Sequence, residues 1–283
     1  MALKNTIAAF VVENSAQPLD NGRVGRLRAA GAQAIHVRAD DGPNSFERLA
    51  SLLGAVLGPS GLSLSGVDVG ALDQDNPASQ SADARGRALR AIRSACRFAA
   101  EHDAETVVIS PGRLERGVPY QATLDAARQT LSQAARYGSE AGVRIALATP
   151  ANGFLRSPNE LRQLIEQIET DALGVALDLG GLVASGEPFP ENWIAEMGQA
   201  VSLVRATDYS LRGSPGPRVC GQGDVRWADC LEVLDEVGYR GAFVVGASDS
   251  GHLTDEATLA AAEGSVRFLN QQLERPAFEE VNQ

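Results

Sequence analysis

Ala176-Leu-Asp178-Leu-Gly-Gly181 and Val204-Arg205-Ala-Thr-Asp208-Tyr209 decide how this chain is read. Each is a short apolar run that ends in a carboxylate, and a helical pattern lies between them. Consecutive strands of a β/α barrel follow one another in this way, and their C-terminal ends carry the chemistry. Working outward, eight strand-like runs can be traced: Ile7–Glu13, Ala34–Ala39, Leu62–Val67, Thr106–Ser110, Val143–Ala148, Gly174–Leu179, Ser202–Asp208 and Ala242–Ala247. Most are continuous apolar runs, as parallel strands buried on both faces require.

Helical patterns fill the intervals. Leu89, Ile92, Cys96 and Ala99 form one apolar stripe, and Leu124, Ala127, Leu131 and Ala135 form another. Ser157-Pro158-Asn-Glu160 reads as a helix start, with a serine cap, proline in the first turn and a carboxylate behind it. Leu161, Leu164, Ile165 and Ile168 supply its buried face, and the segments Asp229–Val237 and Leu259–Leu273 close the series. Eightfold strand–helix alternation predicts an α/β fold, a single (β/α)8 TIM barrel over residues 1–275 with a loose tail over 276–283. The polar segment 68–83 and the Gly-, Pro- and Arg-rich segment 209–225 read as extended loops on the functional face.

The chain has 283 residues, 44% of them hydrophobic, which suffices for one large core. A net charge of -11 disfavours nucleic acid and anionic membranes as partners. No apolar run approaches the roughly 20 residues that span a bilayer. The start shows no charged head followed by a long apolar stretch. Cys96, Cys220 and Cys230 are few and odd in number, and no CxxC pairs them. The expectation is a disulfide-free, cytoplasmic protein.

From Gly142 to Gly246 the chain resembles the xylose isomerase-like superfamily of sugar phosphate isomerases and epimerases. The matching pieces are Gly142-Val-Arg-Ile-Ala-Leu, Ser157-Pro-Asn-Glu-Leu-Arg-Gln-Leu-Ile, Gly174-Val-Ala-Leu-Asp178, Gly221-Gln-Gly-Asp-Val-Arg-Trp227 and Gly238-Tyr-Arg-Gly241. The N-terminal half matches more loosely, through Gly31-Ala-Gln-Ala-Ile and the helix before Thr106-Val-Val-Ile. The resemblance implies a divalent metal held by glutamate, aspartate, histidine and a second glutamate at four strand ends, polarising a substrate carbonyl and hydroxyl. Carried over position by position, those ligands fall on Ala148, Asp178, Arg205 and Gly246. A further histidine of the pattern falls on Gly181, and the acidic end of strand two on His36. Asp208 matches the aspartate that closes the strand-seven motif, with Thr207 where many members have lysine.

Alanine and glycine offer no donor atom, and a guanidinium offers only N–H groups. The expectation is therefore no cofactor and no metal at the barrel mouth; a relocated site near Asp249 and His252 is the weaker alternative. Arg205 is expected to fill the place of the cation, to pair with Asp178 and to meet an anionic ligand group in fork geometry. His36, Asp178 and Asp208 are the acid–base candidates. Glu13, Arg38, Arg113, Asn152, Arg205 and Arg218 are the ligand-binding candidates, with Ser110 and Thr149 beside them. Asp224 reads as a helix cap, Trp227 as a packing residue and His102 as a surface helix end. The partner expected is a small polar or carbohydrate ligand, with homo-oligomerisation left open. Three functions follow: a repurposed isomerase-like binder, an isomerase or epimerase working through metal-free or relocated acid–base groups, or a non-enzymatic oligomeric partner.

Overall fold

The computed structural model describes residues 7–12, 20–39, 45–149, 153–246 and 256–274. Along the chain run β1 (Ile7–Val12), α1 (Asn21–Ala29), β2 (Ala34–Ala39), α2 (Ser45–Ser60), β3 (Ser63–Val69), α3 (Ala82–Glu101), β4 (Thr106–Ile109), α4 (Tyr120–Ala141), β5 (Arg144–Thr149) and α5 (Pro158–Ile168). Then come β6 (Leu173–Asp178), α6 (Leu179–Ala184), α7 (Pro190–Met197), β7 (Val201–Ala206), β8 (Asp208–Ser210), β9 (Gly216–Arg218), α8 (Trp227–Glu236), β10 (Ala242–Val245) and α9 (Glu256–Leu273). Eight strands close into one parallel barrel in the order β1-β10-β7-β6-β5-β4-β3-β2, the (β/α)8 architecture expected.

The helices pack outside because each carries one apolar stripe. In α3, Ile92, Cys96 and Ala99 are buried, and in α4 Ala127, Leu131 and Ala135. Helix α5 starts as its sequence dictates: the Ser157 hydroxyl accepts from the Glu160 amide, and the Glu160 carboxylate accepts from the Ser157 amide.

Inside the barrel the side chains are small. Ala8, Ala34, Ala146, Ala176, Leu203, Val108 and Val244 form a separate inner cluster, with Ala148 and Ala242 against it. Alternate strand residues face the same way. Two positions further toward the C-terminal mouth therefore stand His36, Ala148, Asp178, Arg205 and Gly246. The inner layer is thus apolar and tight, and the next layer is polar.

Three local expectations are corrected. Asp68 and Val69 belong to β3 rather than to a loop, because the strand carries parallel pairing to Arg38 and Ala39. Strand β7 stops at Ala206, and the loop-like stretch after it folds back as the antiparallel β8–β9 hairpin. Asp224 does not cap α8; its carboxylate accepts from the Leu211 amide at 2.7 Å and so closes that hairpin, while the N-cap position falls on Arg226 without a capping hydrogen bond. The tail from residue 276 lies outside the described residues.

Candidate functional site

The mouth of the barrel is built around a carboxylate that the sequence reading passed over. Asp68, near the end of β3, is 3% exposed. Its Oδ2 accepts from Nη2 of Arg205 on β7, and its Oδ1 lies 3.0 Å from Nε2 of His36 on β2. Strands β3 and β7 stand on opposite sides of the eight-stranded barrel, so this ion pair spans the lumen.

The network continues beneath. Nδ1 of His36 lies 3.2 Å from the Ser65 hydroxyl, which in turn donates to the Ile35 carbonyl at 3.2 Å. Ser65 is in place because the β2–β3 register slips by one residue there, leaving it as the extra residue of β3. Burial alone pushes the Asp68 carboxyl up, but the Arg205 guanidinium, the His36 hydrogen bond and the nearby charge of Arg38 outweigh it. Asp68 is therefore held below the usual carboxylate range, as an anion.

The expected Arg205–Asp178 pairing gives way to this arrangement: the ion pair of Arg205 crosses to Asp68. Asp178 instead caps α6, accepting from the Gly181 amide at 2.8 Å and from the Thr207 hydroxyl. Thr207 accepts in turn from the Gly180 amide at 3.0 Å. Asp208 is 2% exposed and fully engaged. It accepts from the amides of Tyr209, Gly221, Gly223 and Val225 and from the Trp227 indole, at 2.8 to 3.1 Å. The glycine-rich turn 221–224 is thus wrapped around a carboxylate of the chain itself, and Trp227 packs edge-on to Phe268.

A cavity of about 850 Å³ opens above this floor. Ala148, Asp178, Arg205 and Gly246 all line it, together with Thr149, Thr207, Gln222 and Arg218. The four aligned ligand positions of the resembling family thus converge on one space, although they come from four different strands. A second hollow of about 500 Å³ lies at the other end of the barrel, where Glu105, Arg144, Tyr239 and Arg240 meet; conservation of function on this fold belongs to the C-terminal mouth.

The remaining sequence candidates are placed as follows. Arg38 stands two residues beyond His36, paired in register with Asp68. Arg113 braces the loop after β3, with Nη1 3.5 Å from the Leu72 carbonyl and Nη2 3.4 Å from the Gln74 carbonyl. Arg218 lies on the hairpin at the cavity rim and donates to the carbonyls of Pro217 and Ser214. Ser110 accepts from the Gly112 amide, and Thr149 donates to the Ala176 carbonyl. His102 ends α3, its ring bonded to the Phe98 carbonyl. Glu13, Asn152, Asp249 and His252 lie outside the described residues.

Among the described residues no group of three or more His, Cys, Asp or Glu could hold a metal ion. The donor set at the mouth agrees with this. Ala148 and Gly246 have no donor, Arg205 brings a fixed positive charge, and Asp178 is already bonded to an amide and a hydroxyl. Among the described residues, those at these four positions do not fit a divalent cation held as the resembling family holds it.

Comparison with known proteins places the chain. One protein of Methanocaldococcus jannaschii, itself uncharacterized, is 30% identical over 177 residues; the match spans 60% of each chain. Among solved structures, a D-psicose 3-epimerase from Clostridium cellulolyticum H10, determined with D-tagatose, superposes with a TM-score of 0.74 at 14% identity, covering 95% of this chain and 100% of that one. A magnesium complex of a xylose isomerase-like TIM barrel protein from Mycobacterium smegmatis gives 0.70 at 17% identity, covering 95% and 96%. No described helix is long and apolar enough to cross a membrane. The model of the xylose isomerase-like TIM barrel family matches residues 24–272, and the chain belongs to that family, whose fold is shared by sugar epimerases.

Proposed function

We propose that this chain is a repurposed member of its family, one that keeps the ligand cavity at the barrel mouth, holds no divalent metal there, and takes a small polar or carbohydrate ligand. One observation carries the reading: the guanidinium of Arg205, anchored by Asp68, stands among four positions of which three supply no metal-binding atom. Such a group donates hydrogen bonds and offers positive charge, but accepts no lone pair into an open coordination site. The cavity volume of about 850 Å³ suits a small molecule.

The test is elemental analysis of the purified protein together with a melting-temperature screen against ketoses, aldoses and polyols. Substoichiometric metal and at least one stabilising ligand are expected. One equivalent of manganese, cobalt, zinc or magnesium, released by chelation with loss of stability, refutes the reading.

A second reading, catalysis of isomerisation or epimerisation by metal-free acid–base groups, draws support from Asp178, which lines the cavity and is tied to the Thr207 hydroxyl. Proton exchange next to a carbonyl needs two placed acid–base groups. Asp208 and His36 serve this reading less well, since the first is saturated by five donors and the second is 1% exposed. Turnover of a ketose that survives Asp178→Asn unchanged removes Asp178 from that role.

A further inference from the structure

We infer that the cavity ligand is a small organic acid carrying one carboxylate, gripped between Arg205 at the floor and Arg218 at the rim. The inference rests on the reading of the cavity as a ligand site and names its substrate class. The charged side chains that line the cavity among the described residues are Arg205, Arg218, Asp178 and Asp208. They balance formally, but they are not equally engaged.

Both carboxylates are already wrapped by the chain. Asp208 accepts from four backbone amides and an indole, and Asp178 accepts from an amide and a hydroxyl at the start of α6. Arg218, by contrast, donates to the neutral carbonyls of Pro217 and Ser214, and no carboxylate pairs with it among the described residues. Arg205 shares its carboxylate: Asp68 also serves His36 and lies in the field of Arg38. A guanidinium presents five N–H donors in one plane and can serve two carboxylates together. The ligand's acid group therefore meets Arg205 from the cavity side while Asp68 holds it from below.

Two further points narrow the class. Among the described residues the lining sets Arg205 and Arg218 against Asp178 and Asp208, and only Arg218 has no carboxylate of the chain beside it, which favours one negative charge over the two of a phosphate dianion. The walls set the Gln222 amide among the alanines Ala184, Ala257, Ala261 and Ala262, which suits a compact ligand.

The experiment is calorimetric titration of the full-length protein, with metal content measured beforehand, at low salt. Probes are D-glycerate, D-ribonate and D-gluconate, their neutral counterparts glycerol, ribitol and D-glucitol, and the phosphate esters glycerol 3-phosphate, D-ribose 5-phosphate and D-glucose 6-phosphate. The expected result is at least one acid bound about tenfold or more tighter than its neutral counterpart and than the phosphate ester. Arg218→Gln should shrink that ratio by about fivefold or more, and Arg218→Lys should retain most of it. Arg205→Gln should abolish it. Because that change strands Asp68, Arg205→Gln with Asp68→Asn serves where the single variant fails to fold. Equal binding of acid and neutral probe overturns the inference and leaves the ligand cavity standing. Tighter binding of the phosphate esters overturns the single-charge assignment. Failure of every probe at millimolar concentration overturns the cavity reading itself, and the inference with it.

Discussion

Asp68 is the residue whose removal the structure makes most consequential. Asp68→Ala leaves the Arg205 guanidinium, 15% exposed, and the His36 ring, 1% exposed, facing an empty space where a carboxylate stood. Breaking a buried ion pair by deleting one partner costs about 3–5 kcal/mol, because the other charge stays buried and uncompensated. At about 2–4 °C per kcal/mol for a chain of this size class, the melting temperature should fall by roughly 6–20 °C. Asp68→Asn keeps an oxygen for His36 but loses the charge, and should cost about 1–3 kcal/mol. Removing both charges, with Asp68→Asn and Arg205→Gln together, should recover part of the single-variant loss, since neither charge of the pair remains.

The same pair sets an acid dependence. The folded-state pKa of Asp68 lies below its ordinary value. Its contribution is therefore complete above the unfolded carboxylate value, near pH 4, and is lost as pH falls below that toward the folded value. The stability gap between wild type and Asp68→Asn should narrow as pH falls below about 4. Calorimetric melting of the four proteins across that fall in pH gives every quantity. An Asp68→Ala protein within about 1 kcal/mol of wild type, or a gap that widens in acid, refutes the lumen-spanning pair as described.

Other consequences are more local. Asp208→Ala should cost at least about 3 kcal/mol, because a carboxylate accepting five hydrogen bonds organises the turn 221–225, and the tryptophan emission should change as the Trp227 indole loses that partner. Gly221→Ala should destabilise by about 1–3 kcal/mol in a thermal melt, since the residue sits at φ +84° and an added Cβ would strike the Phe268 ring; a neutral change contradicts the turn geometry. Burial pushes the thiols of Cys96, Cys220 and Cys230 up to about 12, so a thiol reagent at pH 8 should label none in the native protein and all three in denaturant. Rapid native labelling of any one would contradict its place in the core.

What could be read in advance follows from how the barrel is made. Its strands are buried on both faces, so Gly174-Val-Ala-Leu and Thr106-Val-Val-Ile announce themselves as unbroken apolar runs. The first leads to Asp178, and the run Val201-Ser-Leu-Val leads in the same way to Arg205. Asp68 was hidden because β3, Ser63-Leu-Ser-Gly-Val-Asp-Val, is the least apolar strand of the barrel, and the polar stretch after it absorbs its last residues into an apparent loop. The signal that would have found it is the return to Val69: an aspartate flanked by valines is a strand residue facing a lumen. The partner of Arg205 was beyond reach for a different reason. Neighbouring strands suggest Asp178, whereas the pair crosses the barrel to β3, four strands away, which strand order in the sequence does not reveal.

Metal dependence is where the arrangement at the mouth makes its sharpest claim. A ligand that binds only the folded state stabilises it by about 2.7 kcal/mol at one hundred times its dissociation constant. For a protein of this size class that is a rise of roughly 5–11 °C. A resident divalent cation would therefore show itself as a melting temperature that falls on chelation and climbs with added manganese or magnesium. On the proposed reading this chain should melt at the same temperature in chelator and in millimolar metal, because Arg205 brings a fixed positive charge to the cavity and Ala148 and Gly246 bring no side-chain oxygen. The converse is a gain-of-function test: Ala148→Glu, Arg205→His and Gly246→Glu, combined with Asp68→Asn to spare an unmatched carboxylate, rebuild the four-ligand pattern around Asp178. That variant should acquire the metal-dependent rise. A wild-type protein that responds to metal by several degrees, with a rebuilt variant that does not respond, would mean that the cation lies elsewhere and that Arg205 is not its replacement.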